Sequence, residues 1–180
     1  MRGNCAKVLR DSQLSRMEVP VSEASIVGPE GGEVVLPGPV QVRMIEDGSG
    51  TAHRLAVAIL TVPAHTDGPP AHWHQTHDET FYVIAGTARF TVGDTQHDAP
   101  AGTFVSVPIG AAHTFANPGD QPAIILNTFT PDLYVDYFRD LSQLAAAGEM
   151  TPEAILAVMA RYSTYPAGTP ALDNADEGAT

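Results

Sequence analysis

Three histidines and one glutamate dominate the chemistry this sequence could perform. His72, His74 and Glu79 fall within eight residues, in the run His72-Trp73-His74-Gln75-Thr76-His77-Asp78-Glu79. His113 closes a stretch that begins at Gly102 and carries Pro108 and Gly110. Three imidazoles with one carboxylate suit a single divalent transition metal: Fe, Mn, Ni, Cu, Co or Zn. Four protein ligands leave an octahedral ion two open positions. Water, substrate or dioxygen can bind there, so the cluster points to catalysis rather than to a structural staple. The bland alternative is a pocket that keeps these residues without a metal.

These four side chains can meet only in a particular kind of backbone. Residues i and i+2 of a strand share a face, so His72 and His74 can reach one point. The step from His74 to Glu79 is odd, which would reverse the face in an unbroken strand. Gln75 to Asp78 must therefore bend the chain, and Glu79 then opens a second strand pointing back inward. His113 returns from a distant part of the sequence, as expected when a barrel closes on itself.

The rest of the chain supplies such strands. At 180 residues it fits one domain with room for a small appendage, and a domain of that size buries roughly 70% of its unfolded surface. Residues 1–37 are expected to be an N-terminal arm, mobile in part or exchanged with a partner subunit, with Val19 to Val27 as a candidate edge strand. Residues 38–130 read as strand and turn. Strands are expected at Val40–Ile45, Arg54–Val62, Thr80–Ile84, Ala88–Val92, Phe104–Val107, His113–Ala116 and Ala123–Phe129. Many short strands at this spacing argue for a sandwich or small barrel. Residues 131–163 change period. Thr130-Pro131 reads as a helix start, Tyr134, Phe138, Leu141 and Ala145 as one apolar face, and Gly148 as a stop. Thr151-Pro152 starts a second helix carrying Ile155, Met159 and Tyr162. Residues 164–180 read as a flexible tail.

Net charge is −12 and Lys7 is the only lysine. Such a surface repels phosphate backbones and anionic lipid, which weighs against nucleic-acid and membrane partners. A lone Cys5 allows no intrachain disulfide. The first residues hold no continuous apolar run of the secretory type, so the expected location is the cytoplasm.

The four candidate ligands and their neighbours resemble the two signature motifs of the cupin superfamily. His72, His74, Glu79 and Gly86 match the first motif. Gly102, Pro108, Gly110, His113 and Asn117 match the second. One departure stands out: the leading glycine of the first motif would fall at Thr66, whereas Gly68 lies two residues later. The chain looks most like the small single-domain quercetin-dioxygenase-like cupins. This resemblance implies a mainly β fold, a cupin double-stranded β-helix (jelly-roll barrel) with two C-terminal α-helices. It further implies a metal on His72, His74, Glu79 and His113, a small-molecule substrate, and a homodimer. Cupins include dioxygenases, isomerases, decarboxylases, sensors and storage proteins, so the reaction does not follow from the fold.

The expected activity is a metal-dependent oxidoreductase of the dioxygenase type acting on a small aromatic or dicarbonyl metabolite. Glu79 is then a ligand that can also serve as general base. The alternatives are an isomerase, cyclase or lyase, in which Glu79 or His77 moves protons, and a non-catalytic binding module. His77 sits in the bend, where an exposed turn histidine is the plainer reading. Phe81, Val83 and Phe115 share the inward parity of the ligands and line either a substrate pocket or plain barrel core. Asn117 orients the site or merely ends a strand. Trp73, between two inward ligands, should face away and pack under another element, while His53, His65 and His97 should lie on the surface.

Overall fold

The computed structural model describes residues 23–170. Residues 1–22 of the expected arm, with Cys5 and Lys7, lie outside them, as does the chain after residue 170. Among the described residues twelve strands and two helices follow one another. The strands are β1 (Glu33–Val35), β2 (Gln41–Glu46), β3 (Ala56–Val62), β4 (Thr66–Asp67), β5 (His72–His74) and β6 (Asp78–Ala85). They continue as β7 (Thr87–Val92), β8 (Thr95–Pro100), β9 (Phe104–Val107), β10 (His113–Asn117) and β11 (Ala123–Thr130). The helices α1 (Val135–Ala147) and α2 (Pro152–Arg161) come next, and β12 (Thr164–Pro166) ends the series.

Two antiparallel sheets form the jelly-roll barrel. One runs β1-β2-β3-β11-β6-β9 and the other β12-β5-β10-β7-β8, with β4 added to β10. Alternation along the strands builds the interior. Ala56, Ala58, Leu60 and Val62 of β3 are buried in step, as are Ala123, Ile125, Asn127 and Phe129 of β11. Successive strand side chains point to opposite faces, so each strand gives the barrel every second residue. Phe81, Phe90 and Phe129 fill the centre, and each fully buried aromatic of this size contributes about 1.5–3 kcal/mol.

The helices depart from expectation at one end. Thr130 is the last residue of β11 rather than a helix cap, and α1 starts only at Val135 after a turn in which Val135 N donates to Asp132 O. Gly148 does end α1, in the left-handed region that a glycine adopts without strain. Thr151 caps α2, its hydroxyl accepting from Ala154 N at 3.2 Å, with Pro152 as the first helical residue.

Two boundary expectations change. The described part of the arm contains β1, which pairs with β2 of the same chain, while residues 23–27 form no strand. The tail expected from residue 164 begins instead as β12, whose Thr164, Tyr165 and Pro166 lie opposite His74, Trp73 and His72 of β5. A three-residue strand is too short for an alternation to appear in sequence. No helix among the described residues is long and apolar enough to cross a membrane.

Candidate metal centre

The bend after His74 carries the chain from one sheet to the other. β5 belongs to the sheet of β10 and β12, and β6 to the opposite sheet, so His74 and Glu79 approach the same point from facing walls. His72 lies directly opposite His113 in the β5–β10 ladder. The turn before β10 is set by Gly110, which holds a φ of 82° in the left-handed region and lets Ala111 N donate to Pro108 O. One ligand atom from each of His72, His74, Glu79 and His113 lies within 4.8 Å of the others, and all four residues are buried.

The outer nitrogen of every imidazole is committed. His72 Nδ1 donates to Pro70 O at 2.8 Å, and His113 Nδ1 to Ala111 O at 3.0 Å. His74 Nδ1 lies 2.9 Å from Thr164 Oγ1, whose own hydrogen goes to Tyr162 O. A carbonyl oxygen can only accept, and a hydroxyl whose hydrogen is used elsewhere must also accept. Each Nδ1 therefore carries its proton, and a neutral ring presents a bare Nε2.

Two of these bare nitrogens, on His74 and His113, each lie 3.0 Å from Glu79 Oε2. Lone pairs facing a carboxylate at that distance repel unless a cation lies between them. One proton serves only one such contact, whereas a divalent ion serves the whole set. Two donors about 2.1 Å from a common ion and at right angles to one another stand about 3.0 Å apart, so the donor set fits a first-row transition metal.

In the metal-free cluster the electrostatics differ from group to group. Burial, followed by the neighbouring His113 and His74, pushes His72 down to about 4, so it is neutral near pH 7. For Glu79, burial pulls upward but is outweighed by the hydrogen bonds from His113 and His74, which hold the carboxylate below the usual range. For His113, burial pulls downward, but the Glu79 hydrogen bond and charge win and raise it. A metal bound here would have to displace any proton between Glu79 and the imidazoles.

Glu79 has a further partner that the sequence reading missed. Asn127 Nδ2 donates to Glu79 Oε1 at 2.9 Å and to Thr80 O at 3.0 Å. This fixes one carboxylate oxygen and leaves Oε2 to the histidines. A polar residue at core parity in the apolar strand β11 was the available signal. Thr164 gave no such signal, because its role depends on the chain returning after two helices.

A cavity of about 170 Å³ adjoins the cluster. His72, Glu79, His113 and Asn127 border it, and Tyr134, Tyr137, Phe138, Leu141, Met150 and Ile155 reach it from the helical region. Among the described residues, those lining it include no lysine or arginine. Burial, with the charges of Tyr137 and Glu79, holds the Tyr134 hydroxyl protonated well above the usual tyrosine range.

The structure sorts the remaining expectations. Phe115 borders the cavity, whereas Phe81 and Val83 do not and are barrel core at 1% and 0% exposure. Trp73 faces away from the cluster and packs on Tyr165 with ring centroids 4.9 Å apart. Asn117 is fully buried, and its Nδ2 donates to the carbonyls of Val62, Pro63 and Gln121 while its Oδ1 accepts from Gly119 N. It therefore ties two loops and touches no ligand. His53, His65 and His97 are exposed.

His77 corrects the expectation of an exposed turn residue, for it is 0% exposed. Its ring packs 4.2 Å from that of His74 and 4.9 Å from that of Tyr134, and neither ring nitrogen has a hydrogen-bond partner. The region that follows β11 covers the bend, which a local reading of Gln75 to Asp78 could not foresee. His77 does not border the cavity, so it is not placed to exchange a proton with a ligand there.

Residues 58–129 match the cupin domain family model (Cupin_2). A 70-residue segment, 36% of this chain, is 37% identical to part of the oxalate decarboxylase OxdC of Bacillus subtilis (strain 168) and spans 18% of that protein. A 66-residue segment, 37% of this chain, is 30% identical to 14% of mannose-1-phosphate guanylyltransferase 2 of Escherichia coli O157:H7. The matched segments thus span less than a fifth of either relative. Among solved structures, KdgF from Halomonas sp. aligns with a TM-score of 0.54 at 14% identity, over 61% of this chain and 94% of that one. The polyketide cyclase RemF from Streptomyces resistomycificus aligns with a TM-score of 0.54 at 19% identity, over 60% and 80%. At such identities these likenesses speak for the fold alone. With its motifs, its barrel and a family match over residues 58–129, the chain is similar to the cupins.

Proposed function

We propose that this protein is a metal-dependent cupin oxidoreductase of the dioxygenase type, acting on a small aromatic or dicarbonyl metabolite. The observation that carries the reading is the convergence of three imidazoles, each with its outer nitrogen tied down, on Glu79 at the edge of an apolar cavity. A divalent transition metal held by His72, His74, Glu79 and His113 supplies Lewis acidity and a meeting point for substrate oxygen and dioxygen. The protein's own contributions are separable. The histidines bind through Nε2, and Asn127 keeps one Glu79 oxygen occupied. Glu79 Oε2 is the atom that holds or releases a proton. Phe138, Leu141 and Ile155 exclude water from the space above the cluster.

The substrates of the curated relatives do not carry over. The matched segments span less than a fifth of either relative, too little to transfer a substrate. A second reading, an isomerase, cyclase or lyase, draws on Glu79 bordering both the cluster and the cavity, where it could carry a proton without oxidation. Metal analysis of protein purified without added metal, followed by an oxygen-electrode screen over flavonols, catechols and diketones, tests the proposal. Uptake of dioxygen in step with substrate loss supports it, and undiminished turnover under strict anaerobiosis replaces it with the second reading.

The same proposal includes a homodimer. On the outer face of the first sheet, Tyr82 lies directly opposite Phe104, with Ile84 next in line, at 43%, 62% and 48% exposure. An exposed apolar row on a barrel wall suits a second copy of the chain. Sedimentation velocity of the wild type and of a Tyr82→Glu, Phe104→Glu double variant tests it: a dimer is expected for the first and a monomer for the second.

A further inference from the structure

We propose that Asn127 determines specificity, its Oδ1 receiving a hydrogen bond from a hydroxyl on an uncharged, largely apolar ligand bound in the cavity. This inference rests on the reading that the cavity beside the cluster is the substrate site. It does not depend on reaction with dioxygen.

The argument begins with the two hydrogens of the Asn127 amide. Both are used, one toward Glu79 Oε1 and one toward Thr80 O. The reversed amide would set an oxygen against a carboxylate and a carbonyl, so the orientation follows from chemistry. Oδ1 must then face the other way. The residue is 1% exposed, and Oδ1 has no hydrogen-bond partner among the described residues. Buried acceptors are nearly always paired, and an orphan calls for a partner from outside the protein. Asn127 itself borders the cavity together with His72, Glu79 and His113.

The surroundings narrow what that partner is. An acceptor selects a donor, so a hydroxyl is recognised where a methyl ether is not. Among the described residues, Asp67 and Glu79 are the charged side chains at the cavity besides the histidines, and both are acidic. An anionic group set against Oδ1 itself would meet a lone pair. The body of the ligand faces aromatic and aliphatic walls, including Phe115, Tyr137 and Phe138. A neutral phenol, enol or aromatic alcohol fits all of these demands.

The test is binding, read by calorimetry on the full chain loaded with Zn²⁺, which is redox-silent. The probes are 2-naphthol and 2-methoxynaphthalene. The wild type is expected to prefer naphthol to its methyl ether by at least about tenfold. In Asn127→Leu the preference for naphthol over the ether should fall to within about twofold. A second measurement needs no variant. In carbon-13-labelled wild-type protein the Asn127 side-chain carbonyl signal should move with naphthol and stay in place with the ether. No naphthol preference in the wild type, a preference that survives in Asn127→Leu, or an unmoved carbonyl signal overturns the proposal. Oxygen uptake that never appears while the naphthol preference stands would remove the dioxygenase reading and leave this one intact.

Discussion

His74 Nδ1 donates to Thr164 Oγ1 at 2.9 Å, although 90 residues separate them in the chain. The two face each other across the β5–β12 ladder, and Thr164 passes its own hydrogen to Tyr162 O. The last strand of the described chain thereby sets the tautomer of a ligand in an early strand. Partners of this kind orient ligand rings, and their loss typically lowers metal affinity by about 10- to 100-fold. Thr164→Val, which keeps the shape and removes the acceptor, should weaken zinc affinity within that range. Thr164→Ser should preserve it. Competition against a chromophoric chelator measures both, and a Val variant that binds like wild type would show that His74 needs no such partner.

Acidification should destabilise the metal-free protein. Burial is the leading cause that pushes His72 to about 4 and His77 to about 3. Both values lie below the unfolded value of about 6.5, so the unfolded chain takes up the protons first. Their contribution is present above pH 6.5 and is lost as pH falls toward 4 and 3. By pH 5 each loses on the order of 2 kcal/mol. His113 has the opposite sign, raised by Glu79, so its contribution is complete below about 6.5 and fades as pH climbs through its folded value. Urea midpoints at pH 7 and pH 5 check the balance, with a lower midpoint expected at pH 5.

His77 allows a separate test. Two ring nitrogens buried without partners cost free energy that an apolar side chain of similar size would not. His77→Leu should therefore stabilise the protein by about 1 kcal/mol at pH 7 and flatten the acid dependence described above. Thermal and urea unfolding of the variant at both pH values would show it. A destabilised variant would mean that packing against His74 and Tyr134 outweighs the orphaned nitrogens.

How much of this could be read beforehand depends on sequence distance. The alternation in Ala56–Val62 and Ala123–Thr130 revealed strands, since one face of each meets the core. His72, His74, Glu79 and His113 were legible because short turns fix their relative faces. β8 escaped notice, since Thr95–Pro100 is a largely exposed strand with one buried residue, Ala99. The burial of His77 and the cavity wall made by Tyr137 and Met150 were illegible for a different reason. They arise where the helices dock on the barrel, and no local pattern encodes that contact. Tyr137 even falls outside the apolar stripe of Tyr134, Phe138 and Leu141, yet it is buried and stacks on Tyr134 at 4.3 Å.

Asn117 should matter for stability and not for metal. Its buried amide joins three carbonyls, that of Val62 at the end of β3 and those of Pro63 and Gln121 in two loops. Asn117→Ala strands those acceptors and should cost about 3 kcal/mol, with zinc stoichiometry unchanged in the fraction that remains folded. Calorimetric unfolding combined with metal analysis separates the two effects. Loss of zinc from folded Asn117→Ala would restore a role for this residue in orienting the site.

Gly68 explains how the chain tolerates Thr66 where the motif's leading glycine would stand. β4 pairs with β10 through Thr66 opposite Asn117 and Asp67 opposite Ala116, so the next residue passes against the β10 backbone. A Cβ on Gly68 would overlap the Phe115 carbonyl oxygen, and neither strand can yield without moving Phe115 at the cavity wall. The glycine that this close approach requires stands two residues after the motif position. Gly68→Ala should destabilise the protein by about 2–3 kcal/mol through this backbone clash. Adding Thr66→Gly should not rescue it, because Thr66 is a paired strand residue and not the point of contact. Urea denaturation of the single and double variants decides the matter: recovery in the double variant would place the critical glycine at 66 after all.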